Sequence, residues 1–503
     1  MSGSDRTDLA HFMHQFMFLP GGRYIYYGGR GVKFYNNCFL FIGQEDTREE
    51  WGRLIHASSD ALMSGGGIGI DYSVFRGEGT ILKKTGGRAS GPIPLAHSVN
   101  EYGRNVRQGG SRRSAIYGSL NHSHPDIWKW LMAKDWVNML VPGGEGLTYF
   151  QLKMNDFDAH APLDFTNISV NYDTKWLEGH RLTSVFLQNV EMAMRNGEPG
   201  FSFNFYDKEN ETGRNACCEV TTADDSDVCN LGSINMAAVP DIDTFKAVVE
   251  RASEFLVCGT IRGEVPNEAI RATREKNRRL GLGLMGVHEW LLQRGYRYEM
   301  NDELRAWLSV YRDVSESAAN SHCDRFFLNH PVGYRAIAPT GTIGILAGTT
   351  TGIEPIFAVA YKRRYIDGEV RKFTYAIDQG AETIIQASGI DPDKIETSVD
   401  LAMDPERRIA FQADVQEYVD HAISSTLNLP HWGSEYNNED RIPDMARIIA
   451  HYAPRLRGLT FYPDGARGGQ PLVPVSYTEA KANQGVVFEE NSEQACKSGV
   501  CGI

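Results

Sequence analysis

Residues 215–219 read Asn215-Ala216-Cys217-Cys218-Glu219, and the chain closes on Cys496-Lys497-Ser498-Gly499-Val500-Cys501-Gly502-Ile503. In an extended loop, side chains two residues apart point the same way. Asn215, Cys217 and Glu219 are therefore expected on one face. A thiol, an amide and a carboxylate on one face suit a reaction centre for one-electron chemistry better than a core. A CxxxxC pair on a polar terminus can carry electrons to a buried site by thiol–disulfide exchange. Together the two stretches predict a thiol-dependent reductase that oxidises its own cysteines and is recharged in every turnover.

Composition sets the limits on that reading. With 503 residues, 42% hydrophobic and 11% aromatic, the chain can hold several ordinary domains or one large barrel. A net charge of −13 argues against a nucleic-acid scaffold. Phosphate binding by backbone amides and a few local Arg stays open. The first residues are polar, without the apolar core of a signal peptide. No apolar run approaches the ~20 residues that span a bilayer. Eight cysteines, at 38, 217, 218, 229, 258, 323, 496 and 501, are too sparse for a secreted disulfide scaffold. The expectation is a cytoplasmic enzyme, in the host cytoplasm if the source is viral.

The organisation reads as alternating strands and helices. Asn37-Cys38-Phe39-Leu40-Phe41-Ile42 has the apolar run of a buried strand. Thr47-Arg48-Glu49-Glu50 reads as a capping box, followed by Trp51, Leu54, Ile55 and Leu62 at helical spacing. Ser64-Gly-Gly-Gly-Ile-Gly-Ile-Asp71 is a glycine-rich turn into a further strand, and Phe245, Val248, Val249, Ala252, Phe255 and Leu256 make one helical face. This rhythm predicts an α/β architecture. From Thr478 the chain turns polar, and 478–503 reads as a mobile tail.

Taken singly, Cys38, Cys217 and Cys229 each read equally well as small buried hydrophobes. Cys258 and Cys323 keep that plain reading. Ala338-Pro339-Thr340-Gly341-Thr342-Ile343-Gly344 offers hydroxyls and backbone N–H groups at the mouth of a helix, either an anion cradle or a simple turn. Gly281-Leu-Gly283-Leu-Met-Gly286 matches GxGxxG, but Lys276-Asn-Arg-Arg279 precedes it and the acidic partner of a dinucleotide fold is missing, so a nicotinamide-dependent dehydrogenase is disfavoured. His122-Ser-His124-Pro-Asp126 is read as a capped turn. Cys217, Cys218, Cys496 and Cys501 lack zinc-ribbon spacing, and no metal site is expected.

Several segments then align in order with one family: Leu19-Pro-Gly-Gly-Arg23, Asn36-Asn-Cys38-Phe39, Gly65-Gly-Gly-Ile-Gly69, Gly86-Gly-Arg-Ala-Ser-Gly-Pro92, Arg112-Arg-Ser-Ala115, Asn215-Ala-Cys-Cys-Glu219, Lys276-Asn-Arg-Arg-Leu-Gly281, Pro339-Thr-Gly-Thr-Ile343, Gly352-Ile-Glu-Pro355, Asp464-Gly-Ala-Arg467 and the terminal CxxxxC. From about Phe18 onward the chain resembles the catalytic subunit of ribonucleotide reductase, most closely the adenosylcobalamin-dependent class. Cys218 departs from the family, which usually has Gly or Leu there.

The resemblance implies a ten-stranded α/β barrel of two five-stranded halves over residues 1–477, with a central finger loop carrying the radical Cys217, and a redox tail over 478–503. It implies that Cys217 becomes a thiyl radical and abstracts the 3′-hydrogen of the ribose. Glu219 takes the 3′-hydroxyl proton, and Asn215 hydrogen-bonds the ribose hydroxyls. Cys38 and Cys229 reduce the 2′ position and emerge as a disulfide. Pro339, Thr340, Gly341, Thr342 and Ile343 hold the substrate phosphates. Cys496 and Cys501 re-reduce the internal disulfide and are reset by a thioredoxin- or glutaredoxin-type protein.

Two tyrosines in a row serve as the radical relay in family members that use a metal-containing subunit. The corresponding region here is Gly458-Leu-Thr-Phe461-Tyr462-Pro463, without such a pair, and Tyr26-Tyr27 lies elsewhere in the chain. The expected cofactor is therefore adenosylcobalamin; the alternative is a class I-type subunit that receives its radical from a separate metal-containing subunit. No ATP-binding cone precedes Leu19, so overall ATP/dATP control is not expected. Without a large insertion between Cys38 and Gly65, a deoxynucleotide effector is expected at a homodimer interface. Arg104–Ser114, with Arg112, Arg113 and Ser114, matches the loop that couples effector to substrate base. No direct nucleic-acid or membrane partner is expected.

Overall fold

The computed structural model describes residues 3–36, 38–83, 86–106, 114–156, 158–367, 370–466 and 472–489. Arg112, Arg113, Arg467, Cys496 and Cys501 lie outside the described residues.

Five strands form the first half of the architecture: β1 Cys38–Ile42, β2 Gly67–Asp71, β3 Ile116–Asn121, β4 Thr166–Tyr172 and β5 Gly200–Phe203. Each is parallel to the next. Parallel neighbours need crossover connections, and helices Arg48–Met63, Ile93–Asn105 and Ser184–Asn196 lie on them. In the second half β6 Asp227–Asn235 runs parallel to β7 Leu280–Met285, and β8 Thr426–Leu429 runs parallel to β9 Gly458–Pro463. The extended segment 333–337 joins the two pairs. On one side Leu280 N donates to Gly333 O over 2.9 Å and Ala336 N to Leu282 O over 3.1 Å. On the other, His421 N donates to Arg335 O over 3.1 Å and Ser424 N to Ile337 O over 2.8 Å.

The halves meet antiparallel at both seams, β1 with β6 and β5 with β9. The ring is thus closed, with five members in each half: β1–β5, and β6, β7, the 333–337 segment, β8 and β9. This is the α/β barrel that the family resemblance implies.

Strand alternation sorts the residues. Phe39, Phe41 and Val228 belong to the apolar layer between the sheet and its helices. Leu40, Cys229 and Leu231 point inward and pack with Val220, Ala336 and Ala338. Each large apolar side chain so buried contributes about 1.5–3 kcal/mol. The helix expected from Phe245 to Leu256 spans Ile242–Arg262, with Phe245, Val248, Val249, Ala252 and Leu256 buried. Thr47 caps Arg48–Met63 by accepting from Glu50 N, but the Glu50 carboxylate bonds Gln44 N rather than closing a reciprocal box.

Gly281–Gly286, disfavoured above as a dinucleotide loop, is barrel strand β7 with a left-handed Gly286 after it. Two local expectations differ from the structure. Residues 215–219 are not extended, as detailed below. The chain does not loosen at Thr478: Tyr477–Asn483 is a helix, and Val487–Glu489 pairs with strand Val370–Ile377. Phe488 stacks on Phe373 at 5.1 Å between ring centroids, an apolar anchor hidden in a polar stretch. No helix among the described residues is long and apolar enough to cross a membrane.

Candidate active site

A short hairpin enters the barrel. Gly213–Arg214 pairs antiparallel with Thr221–Thr222, and residues 215–220 form its tip. The tip is a tight turn. Cys218 N donates to Asn215 O over 2.9 Å, Val220 N donates to Asn215 Oδ1 over 2.9 Å, and Cys218 takes a left-handed φ of 68°. A side chain in that conformation costs about 1–2 kcal/mol, which accounts for glycine being at home at this position. The turn also replaces the common face expected of Asn215, Cys217 and Glu219. Asn215 and Glu219 are buried, whereas Cys217 is exposed at the tip.

The barrel wall grips the finger closely. A Cβ on Gly69 of β2 would fall 1.8 Å from Arg214 O, so only glycine fits beneath it. Arg214 is almost fully buried without a carboxylate partner. Its Nη2 donates to Asn204 Oδ1 over 2.9 Å and Arg457 O over 2.7 Å, and its Nη1 to Cys218 O over 3.4 Å. Loss of solvation pulls its pKa down to about 10.

The second hairpin strand is pinned as well. Thr222 Oγ1 donates to Asp227 Oδ2 over 2.8 Å, Arg279 Nε pairs with the same carboxylate at 2.9 Å, and Asn277 Nδ2 donates to it over 2.9 Å. This explains the Lys276–Arg279 motif as a clamp between the finger and the start of β6. His421, buried and held neutral by loss of solvation, lies 3.3 Å from Thr221 Oγ1, and Ala422 N donates to Glu219 O over 2.8 Å. Arg214 and His421 were not singled out from sequence. A charged residue abutting the Asn-x-Cys motif was the only signal.

Around the tip the predicted residues converge. Cys38 and Cys229 are register partners across β1 and β6, both buried. Opposed residues in an antiparallel pair have Cα atoms roughly 4.5–5.5 Å apart, inside the ~4.4–6.8 Å window of a disulfide. Gly281 makes room, since a Cβ there would sit 3.0 Å from Cys229 Sγ. Asn215 Nδ2 lies 3.1 Å from Cys38 Sγ. Burial, with Cys38 beside it, holds the Cys229 thiol well above its ordinary range. Burial also pushes Cys218 up to about 12.

Glu219 Oε2 has no hydrogen-bond partner among the described residues. Burial pushes this carboxyl up to about 7, against the lowering effect of its bond to Asn215. A carboxyl near neutrality inside the barrel, with one oxygen unpartnered among the described residues, meets the condition for a general base.

Ala338 packs in the cluster with Cys229 and leads into Pro339–Ile343. Thr340 adopts a left-handed φ of 51° and its Oγ1 accepts from Gly352 N over 2.9 Å. The helix Gly341–Ala347 starts there, with Gly341 and Thr342 exposed. The first N–H groups of a helix have no partner within it, the property on which the anion-cradle expectation rests. Ser114, the described member of the predicted effector loop, is buried and donates to Val106 O over 3.1 Å.

The profile of the ribonucleotide reductase barrel domain matches residues 36–139, 178–318 and 333–461, most of the closed ring just described. The chain belongs to the ribonucleotide reductase family. The vitamin B12-dependent ribonucleoside-diphosphate reductase of Mycobacterium tuberculosis is 28% identical over 92% of this reductase and 72% of its own length. The enzyme of the same description from Thermoplasma acidophilum is 24% identical over 98% of this reductase and 72% of its own length. A putative adenosylcobalamin-dependent ribonucleoside-triphosphate reductase of a Mycobacterium phage is 26% identical, covering 91% and 75%. Among solved structures, the class Id ribonucleotide reductase alpha subunit of Actinobacillus ureae superimposes with a TM-score of 0.66 at 16% identity, over 90% of this reductase and 88% of that chain. It shares the fold.

At the relay position of the reductase, Phe461 of β9 packs outward at 5.9 Å from Phe201, and Tyr462 follows it in the strand. Tyr26 and Tyr27 lie on the short helix Gly22–Tyr27, with Tyr26 exposed.

Proposed function

We propose that this chain is an adenosylcobalamin-dependent ribonucleotide reductase with Cys217 as its radical residue. The observation that carries the reading is the finger. It presents an exposed thiol two residues from a buried carboxyl with one unpartnered oxygen, in a barrel whose wall holds two buried thiols in register.

The chain's own groups divide the work. Pro339–Ile343 hold the substrate phosphates. The Cys217 thiyl radical takes the 3′-hydrogen, and Glu219 accepts the 3′-hydroxyl proton while Asn215 holds the ribose hydroxyls. The 2′-hydroxyl leaves as water. Cys38 and Cys229 supply two electrons and two protons and become a disulfide, and the 3′-hydrogen returns from Cys217. One ribonucleotide and two thiols thus yield one deoxyribonucleotide, one disulfide and water. Cys496 and Cys501 restore the internal thiols by exchange, and a thioredoxin- or glutaredoxin-type protein restores them in turn. Arg112, Arg113 and Ser114 belong to the loop that carries effector information to the base, in a homodimer that binds a deoxynucleotide.

Adenosylcobalamin fits this site in what it must reach. Cys217 is exposed, whereas Cys38 and Cys229 are buried. The helix after the phosphate loop also shows apolar Ile345 and Leu346 to solvent, 83% and 52% exposed, and these would give the group an apolar surface to rest on. When bound, the cofactor supplies the carbon-centred radical that oxidises the Cys217 thiol. The lone Tyr462 in place of a tyrosine pair supports this source over a metal-containing subunit.

Adding a deoxynucleoside triphosphate effector to the chain with adenosylcobalamin is expected to lower the absorbance of the intact cobalt–carbon bond. Unchanged absorbance under effector, substrate and dithiol contradicts the cofactor assignment.

A further inference from the structure

Away from the barrel interior, helices Ile242–Arg262 and Asp302–Arg325 pack together and bring Cys258 to His322. Cys258 Sγ lies 3.3 Å from His322 Nε2. Arg325 Nη2 lies 3.2 Å from His322 Nδ1. Glu254, one turn before Cys258 and 2% exposed, secures the far side. Its Oε1 lies 2.6 Å from Arg325 Nη2 and 3.7 Å from His322 Nδ1. Arg251 pairs with Glu254 as well and reaches Asp5 at 2.9 Å.

This is a thiol–imidazole–carboxylate arrangement, which the reaction in the barrel does not use. His322 is fully buried, yet its pKa is held above the ordinary range, first by the hydrogen bond with Cys258 and then by that with Glu254. The ring nitrogen 3.3 Å away is placed to take the thiol proton, and the thiolate is the reactive form. Cys258 is partly exposed. Cys323, beside His322 in sequence, is an internal contrast: it is buried, and burial pushes its thiol up to about 11.

The surroundings fit an anionic reagent. Arg325 is 52% exposed at its side chain, directly beside the pair. The turn carrying Cys258 also backs onto the wall of β6. Asn230, next to Cys229, donates to Leu256 O over 3.2 Å, and a Cβ on Gly259 would fall 1.7 Å from the Tyr24 hydroxyl. That hydroxyl is buried and has no hydrogen-bond partner among the described residues. The helix therefore has no slack toward the barrel, and a group added to Cys258 has to grow outward, toward Arg325.

We propose that Cys258 is a modification site that takes up a thiol from an anionic low-molecular-weight disulfide, with His322 as its proton partner. His322 Nε2 takes the proton of the Cys258 thiol, and the sulfur attacks one sulfur of the reagent. A new S–S bond forms, the reagent's own S–S bond breaks, and the released thiolate leaves with the electron pair and takes the proton from His322 Nε2. The reagent is the oxidant, and one disulfide is consumed for each one made. The inference does not rest on the reading of the barrel site.

The test incubates the pre-reduced, full-length chain with oxidised glutathione at neutral pH and maps adducts by mass spectrometry over time. Cys258 is expected to react at least about tenfold faster than Cys323, and His322→Gln to slow the Cys258 adduct about tenfold. Because His322 is fully buried, Arg325→Gln serves as the second variant. It removes the exposed cation beside the pair and is expected to slow the adduct with the anionic reagent about threefold. Cys258 reacting no faster than Cys323, or a rate unchanged in Arg325→Gln, overturns the proposal.

Discussion

Cys217→Ala abolishes nucleotide reduction, by at least about 10⁴-fold, and leaves the barrel folded with its nucleotide affinity intact. The size of the effect follows from the chemistry. Among the described residues, the other thiols at the barrel interior are Cys38 and Cys229, buried on β1 and β6, and Cys218, its thiol pushed up to about 12 by burial. None of them presents sulfur where Cys217 does. The small structural cost follows from the location. Cys217 is exposed, and substitutions at such positions usually stay within about ±0.5 kcal/mol. Product formation, a thermal melt and nucleotide-binding calorimetry on the same preparation read all three quantities. Turnover above a trace in the folded variant removes Cys217 from the reaction.

Glu219→Gln is expected to lower kcat by about 10²–10⁴, the usual contribution of a positioned general base. The amide keeps the shape but accepts no proton from the 3′-hydroxyl. Burial pushes the Glu219 carboxyl up to about 7, so below that pH the wild-type group is protonated and cannot act as a base. Wild-type kcat/KM therefore rises as pH passes upward through about 7, and the variant loses that rise.

Stability carries the opposite sign. A carboxyl that ionises near 4.5 when unfolded and near 7 when folded favours the folded state only while it is protonated there. That contribution is complete below about 4.5 and disappears as pH rises to about 7. The melting temperature of Glu219→Gln should thus gain on wild type across this window and hold its lead above it. A wild-type pH–rate profile flat through neutrality, with the variant nearly as active, excludes Glu219 as the base.

The candidate site residues were legible in the chain because the chemistry proposed for them is carried by residue type. Asn215, Cys217 and Glu219 sit within five positions, Cys38 opens an apolar strand run, and Cys229 was singled out by the family resemblance. The barrel was legible through the order of its motifs and the strand–helix rhythm, and β1, β2 and the helix over Phe245–Leu256 stand where the patterns put them.

What escaped is what tertiary contact decides. The turn at 215–218 exists because the barrel wall presses on the finger at Gly69 and because Asn215 folds back onto Val220 N, neither of which has a local signal. Arg214 looks like a surface residue in sequence and is instead the buried bolt of the finger, since its partners are backbone carbonyls from Phe203 and Arg457. Gly281–Gly286 imitates a nucleotide loop because a strand packed against Cys229 and the 333–337 segment needs glycine for the same reason, close approach. The polar stretch after Thr478 hid Phe488, whose stacking on Phe373 holds 487–489 in a sheet.

The most direct measurement of the central claim is deoxynucleotide formation by the purified chain with ribonucleotide, a deoxynucleoside triphosphate effector and a dithiol, with and without adenosylcobalamin. The account predicts multiple turnovers with the cofactor and none without it, in the absence of any other protein. No product with the cofactor, and turnover only when a metal-containing partner protein is added, contradicts it.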